Sequence, residues 1–189
     1  MKNNLKKEEY FMFKRLRKAK VQENRGIEDT IELYSIGTGE AIAITEVNDP
    51  VFANKMLGDG FAILPETGEV FSPFEATILA ISPTKHAFSL KTDHGIECLI
   101  HLGIDTVELA GQPFEIYVEE GERVTRGEAL ATVDLSYLKN AGKSADLVIV
   151  FTNNKDQGFS MQLDKLGKID KDTRIGKVRI EDYKQKNDL

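Results

Sequence analysis

A chain of 189 residues, 41% hydrophobic and 30% charged, has the make-up of one ordinary globular domain with room for a real core. Its net charge of −6 argues against nucleic acid as the main partner. No run of about 18 apolar residues would cross a membrane, no secretory leader is recognisable, and one cysteine, Cys98, rules out an internal disulfide framework and suits a reducing cytosol.

Charge is unevenly spread. Residues 1–20 hold eight Lys/Arg against two Glu, a balance of +6, which leaves −12 for the other 169 residues. Residues 1–26 therefore read as a separate basic arm. Within it, Tyr10, Phe11, Phe13 and Leu16 alternate with Lys14, Arg15, Arg17 and Lys18. If helical, Tyr10 to Lys20 would suit an anionic membrane surface; the alternative is a solvated tail.

From Ile31 onward the pattern is β. Apolar runs at 41–44, 61–64, 77–81, 87–90 and 147–151 are separated by Gly, Asp, Asn and Pro clusters. Many short strands at this spacing predict an all-β antiparallel sandwich or barrel-sandwich hybrid over residues 27–182, with a tail at 183–189. Helix is expected only in short pieces: Asp49 to Lys55 with Asp49 as N-cap, and Leu135 to Asn140 with Gly142 after it. Gly68 to Pro73 and Glu120 to Leu130 both lead into apolar strands. The second resembles the hammerhead turn of biotinyl and lipoyl domains, but no hairpin carrying a modifiable lysine is visible. The turn speaks for the fold and not for carrier chemistry of that kind.

Chemistry concentrates in residues 84–105. Two apolar-alternating runs flank Asp93-His94-Gly95, a hairpin turn. With Asp93-His94 as a two-residue loop, residues whose numbers sum to 187 face each other. His86 and His101 then form a cross-strand pair with Cβ atoms about 4.5–5.5 Å apart, and Phe88 faces Leu99. A four-residue loop also keeps the histidines on one face. A three-residue loop without a bulge would not, because a slip of one residue turns the strand over.

A close histidine pair admits three readings. One imidazole can take a phosphoryl group while the other donates an N–H to the phosphoryl oxygens. The pair can instead supply half of a zinc site that needs one or two more ligands. Or both rings are structural residues on a sheet face.

The neighbours favour the first reading. Residues 99–109, Leu-Ile-His-Leu-Gly-Ile-Asp-Thr-Val-Glu-Leu, resemble the His-x-Gly-Ile-Asp-Thr-Val signature of the glucose-type IIA components of the bacterial sugar phosphotransferase system. Thr84-Lys85-His86-Ala87-Phe88 is similar to that family's Thr-x-His-Ala-Phe box. Asp49 to Ala53, Gly58 to Ile63 and the Gly121 to Leu130 turn add to the likeness, which runs from about Ile31 to Ile180.

The resemblance implies an antiparallel β-sandwich with a shallow active-site depression. It implies a cytoplasmic phosphocarrier, phosphorylated on His101 by the small carrier HPr and emptied by a IIB component. By the same resemblance His86 stabilises the phosphoryl group and Thr84 hydrogen-bonds within the site. Asp49 and Asp105 would meet arginines of HPr. Phe52 and Leu99 would stand on an apolar ring around the site, where Leu99 and Ser82 replace aromatics of some relatives. A cofactor is not required; zinc at His86 and His101 would need a partner's ligand. Control of transporters or kinases through the same face is an added role that such a protein can have.

Other features read plainly. His94 is a loop residue, Cys98 points away from His101 as a small buried hydrophobe, and Gly37-Thr38-Gly39 is a turn rather than a nucleotide loop. Zinc peptidases of the lysostaphin type share a related β fold, but they need a His-x-His pair and none occurs here.

Overall fold

The computed structural model describes residues 30–152 and 158–180. The basic arm, its Tyr10 to Lys20 segment and the 183–189 tail lie outside the described residues. Three open sheets, antiparallel throughout, make up the fold. One has β1 (Thr30–Tyr34), β14 (Arg174–Ile180) and β12 (Phe159–Leu163) in that order. A second has β4 (Glu69–Phe71), β10 (Ala129–Val133) and β8 (Phe114–Ile116). The large sheet runs β13 (Gly167–Ile169), β2 (Gly39–Ala43), β3 (Asp59–Pro65), β11 (Leu147–Phe151), β7 (Glu97–Leu102), β6 (Ala87–Lys91), β5 (Ala76–Ile81), β9 (Arg123–Val124). The main core draws Leu33 and Val178 from the first, Val70 and Leu130 from the second, and Phe61, Phe88, Ile100 and Ile149 from the third. This is a sandwich, and among the described residues no sheet closes into a barrel.

The five apolar runs all become strands, trimmed or extended by a residue or two. Leu147-Val148-Ile149-Val150-Phe151 is buried at every position, as an unbroken β-branched and aromatic run requires. Its alternate side chains serve two cores. Leu147, Ile149 and Phe151 enter the main one, while Val148 and Val150 join a smaller cluster with Ile44, Val47, Phe52, Ala62 and Ile104. Gly60 lets β3 lie close to β11, since a Cβ there would stand 1.9 Å from the Ile149 carbonyl oxygen.

Both expected helices form. Helix α1 (Pro50–Ala53) is capped by Asp49, whose carboxylate accepts from the N–H groups of Val51 and Phe52, with Pro50 at the first position where no amide is missed. Helix α2 (Leu135–Asn140) is capped by Asp134 and closes on Gly142 at φ +68°.

The β6–β7 hairpin departs from the expected register. Ala87 faces His101, Phe88 faces Ile100 and Ser89 faces Leu99, one residue away from the pairing that a two-residue loop gives. Thr92 N–H donates to Ile96 O at 2.9 Å, so the loop is the three-residue Asp93-His94-Gly95. Gly95 takes φ +83°, a conformation a non-glycine residue at the third position adopts only at a cost. Phe88 and Ile100 consequently meet in the main core. Truncating Ile100, which has no exposed surface, to Ala should cost about 2–5 kcal/mol in a urea titration. Leu79→Ala, at 42% exposed on β5, should cost no more than about 0.5–1 kcal/mol.

Candidate functional site

In spite of the shifted register the two histidine rings meet, centroids 5.0 Å apart and planes at 70°. The reason is local. His86 lies just before β6, at the end of a tight turn in which Ser82 N–H donates to Ala87 O and Lys85 N–H to Ser82 O. Lys85 has φ +57°, so the alternation of side chains between faces breaks there. The main chain of His86 keeps the ladder, its carbonyl accepting from Leu102 N–H at 2.7 Å, while the ring turns to the His101 side.

His101 sits inside β7. Its Nδ1 is 2.7 Å from the Gly103 carbonyl oxygen. A carbonyl only accepts, so Nδ1 carries the proton and Nε2 keeps the lone pair. Gly103 is locked in turn: its N–H donates to Asp146 O and the next amide, Ile104, donates to Ser144 O, each at 3.0 Å. At φ +76° a Cβ on Gly103 would stand 2.6 Å from Thr106 Cγ2 and 2.7 Å from Ser144 O, so only glycine fits. The edge of Phe52 packs on the His101 ring at 5.4 Å.

On His86, Nδ1 is held by two hydroxyls, Thr84 Oγ1 at 2.6 Å and Ser82 Oγ at 3.1 Å. Ser82 thus faces His86 instead of an apolar ring. Leu99 packs, together with Phe52, in the small apolar cluster and does not line the depression itself. Asp49 and Asp105 stand by the histidines. Asp49 is engaged as the α1 cap, whereas Asp105, at φ +57° before the Thr106–Leu109 3₁₀ turn, makes no cap bond with its carboxylate. An open depression of about 300 Å³ is lined by His86, His101, Asp49, Asp105 and an apolar rim of Val51, Phe52, Leu57 and Val107. Sequence reasoning missed Val51, Leu57 and Val107 as rim residues. Their adjacency to segments already singled out, Val51 before Phe52, Leu57 before Gly58 and Val107 two residues after Asp105, was the available signal. Among the described residues no group of three or more His, Cys, Asp or Glu comes together as a metal site.

Both imidazoles lie below the ordinary histidine pKa. Burial is the chief cause for each. For His101 the neighbouring His86 acts in the same direction, while the Gly103 hydrogen bond and the Asp49 and Asp105 carboxylates push back. The result is a neutral imidazole with one bare nitrogen beside a second neutral imidazole, a nucleophile next to a hydrogen-bond donor.

The chain's residues 31–157 match the family model of the phosphoenolpyruvate-dependent sugar phosphotransferase system, EIIA 1. The chain belongs to this EIIA family. Among its relatives, the glucose-specific EIIA component of Staphylococcus epidermidis is 44% identical over 138 residues, which cover 73% of this chain and 82% of that protein. The glucose-specific EIICBA component of Streptococcus pneumoniae is 45% identical over 151 residues, 80% of this chain. This chain spans about a fifth of the length of that multidomain relative. Among solved structures, the glucose permease IIA from Mycoplasma capricolum is similar at a TM-score of 0.72 and 35% identity, over 79% of this chain and 96% of that one. EIIA proteins are phosphoryl carriers of sugar uptake, and the depression with its histidine pair is the candidate site in this one.

Because burial disfavours the imidazolium, His101 should stay neutral at pH values where an ordinary histidine is charged. An NMR titration of its ring should give a midpoint below about 6.5. The unfolded chain binds that proton more readily than the folded one, so stability is full above about pH 6.5 and declines as pH falls through the folded midpoint.

Proposed function

We propose that this EIIA chain accepts a phosphoryl group from phospho-HPr on Nε2 of His101 and passes it to the nucleophilic cysteine of a IIB component, in the cytoplasm. The observation that carries this reading is the Nδ1–Gly103 hydrogen bond, which leaves Nε2 with its lone pair. On uptake the P–N bond of phospho-HPr breaks, its electron pair returns to the HPr histidine, and a P–N bond forms at Nε2. In the onward step a IIB thiolate takes the phosphorus and the Nε2–P electron pair returns to His101. The Nδ1 proton stays in place throughout. No bond to the phosphoryl group has to be made by an acid or base, so positioning and charge stabilisation do the catalysis.

His86 supplies the second part. With Nδ1 accepting from a hydroxyl, its Nε2–H donates to a phosphoryl oxygen. Thr84 Oγ1 is the nearer of the two hydroxyls at that nitrogen. Asp49 and Asp105 offer negative charge to a cationic face of HPr, and Val51, Phe52, Leu57 and Val107 exclude water around the contact. His86 and His101 would hold a zinc ion only with further ligands from a partner.

With enzyme I, HPr and phosphoenolpyruvate, the chain should gain one acid-labile, base-stable phosphate that His101→Ala abolishes. His86→Gln keeps an N–H donor and should still take up phosphate, but an amide cannot share the charge that moves off the phosphoryl group as an imidazole can, so onward transfer to IIB falls on the order of 10²-fold. Mass shifts on uptake and on release measure the two steps separately. Uptake by His101→Ala, or wild-type speed in both steps for His86→Gln, contradicts the mechanism.

The docking charges are tested by reversal. Asp49→Lys and Asp105→Lys should each slow uptake from phospho-HPr, and the wild-type rate should fall as salt rises. Stopped-flow rates that ignore both reversals and salt would place the HPr contact elsewhere.

A further inference from the structure

Two hydroxyls serve a single nitrogen of His86, and they differ in what else they touch. Thr84 Oγ1, at 2.6 Å, belongs to a side chain that can turn its proton toward Nδ1 or away from it. Ser82 Oγ, at 3.1 Å, also accepts the Ala87 N–H at 3.1 Å, so the backbone already occupies one of its lone pairs. The main chain of Ser82 is pinned as well, donating to Ala87 O at 2.9 Å and accepting from Lys85 N–H at 2.8 Å. The oxygen is thus fixed in space with one O–H proton to give, and Nδ1 of His86 lies within its reach.

This arrangement has a chemical consequence. If Nδ1 carried a proton, that proton would go to Thr84 and the hydroxyl proton of Ser82 would lose its acceptor at the ring. With Nδ1 bare, the serine proton is satisfied and the imidazole proton sits on Nε2. Thr84 alone serves either tautomer equally well; the anchored serine breaks the tie.

The geometry points to Ser82 as a positioning residue for phosphoryl transfer: anchored by the Ala87 N–H, its hydroxyl acts with Thr84 to hold the His86 proton on Nε2, where the phosphoryl oxygens arrive. Its kinetic consequence rests on the phosphocarrier reading, while the tautomer itself does not.

Nitrogen-15 spectra of the His86 ring in the unphosphorylated protein report the tautomer directly. The wild type should show Nε2–H, and Ser82→Ala should move the ring toward a mixture with Nδ1–H. The same variant should slow onward transfer to IIB roughly 3- to 10-fold, the scale of one neutral hydrogen bond, with KM for phospho-HPr unchanged. Ser82→Thr, which keeps the hydroxyl, should restore both. If Ser82→Ala fails to fold, Ser82→Cys keeps the bulk with only a weak S–H donor and is read in the same way. Unchanged ring shifts in the variant that folds overturn the role, and so does a shifted tautomer with an unaltered onward rate. A wild type that shows the Nε2–H tautomer set by Ser82 but takes no phosphate from HPr overturns the carrier reading and leaves the tautomer assignment standing.

Discussion

The site depends on one strand being buried on both faces. Strand β11 has no exposed residue, so the large sheet has apolar contacts behind it as well as in front. The front contacts make the main core. The back contacts, Val148 and Val150, are the floor on which Ile44, Val47, Phe52 and Ile104 assemble. That second core is small, but it carries the functional side chains. Helix α1 has a single turn and would not persist alone; Phe52 ties it to the floor, and the same ring packs against His101. Val148 faces His101 across the β11–β7 ladder, so His101 stands directly over a fully buried part of the sheet.

Two electrical demands meet at this place. On the proposed reading the nucleophile must be uncharged, which burial favours, and the surface must attract a cationic partner, which carboxylates favour at the expense of neutral histidine. The structure separates them by distance and exposure. Asp105 is exposed and Asp49 half-buried, and their pull on His101 is weaker than the desolvation that opposes it. Long-range attraction can then bring the partner in without protonating the group it is to meet.

Much of this was legible in the sequence because it is written in periodicity and punctuation. Unbroken or alternating apolar runs marked the strands, and Asp49 before Pro50 and Gly142 after Asn140 marked the short helices. The fifteen-residue spacing of His86 and His101 was visible, but the reason they meet was not. Loop length is a backbone decision, and Asp93-His94-Gly95 fits two-residue and three-residue turns alike until Gly95 is seen at φ +83°. Had the alternation of side chains between faces held through His86, that slip would have parted the rings; the break at Lys85 preserves the pair. Ser82 and the Gly103 carbonyl were missed for a related reason. Each acts through an orientation set by a turn, and no spacing rule reports where a carbonyl or a hydroxyl points. The same slip gave Leu99 the wrong cross-strand partner: it faces Ser89 and not Phe88.

The acceptor behind His101 is a neutral peptide oxygen and not a carboxylate. In the proposed mechanism, once phosphorus is attached to Nε2 with Nδ1 still protonated, the ring bears positive charge. A carboxylate at its back would stabilise that form with a charge-assisted bond, roughly twice as strong as a neutral one. The carbonyl of Gly103 gives orientation with less of that stabilisation, and it has no proton of its own to gain or lose near neutral pH. The bound group is therefore held in the right direction but not deeply. On that mechanism it would stay high in transfer potential, able to leave for the next nucleophile and to be returned to the last one, so traffic through His101 would follow the supply at either end.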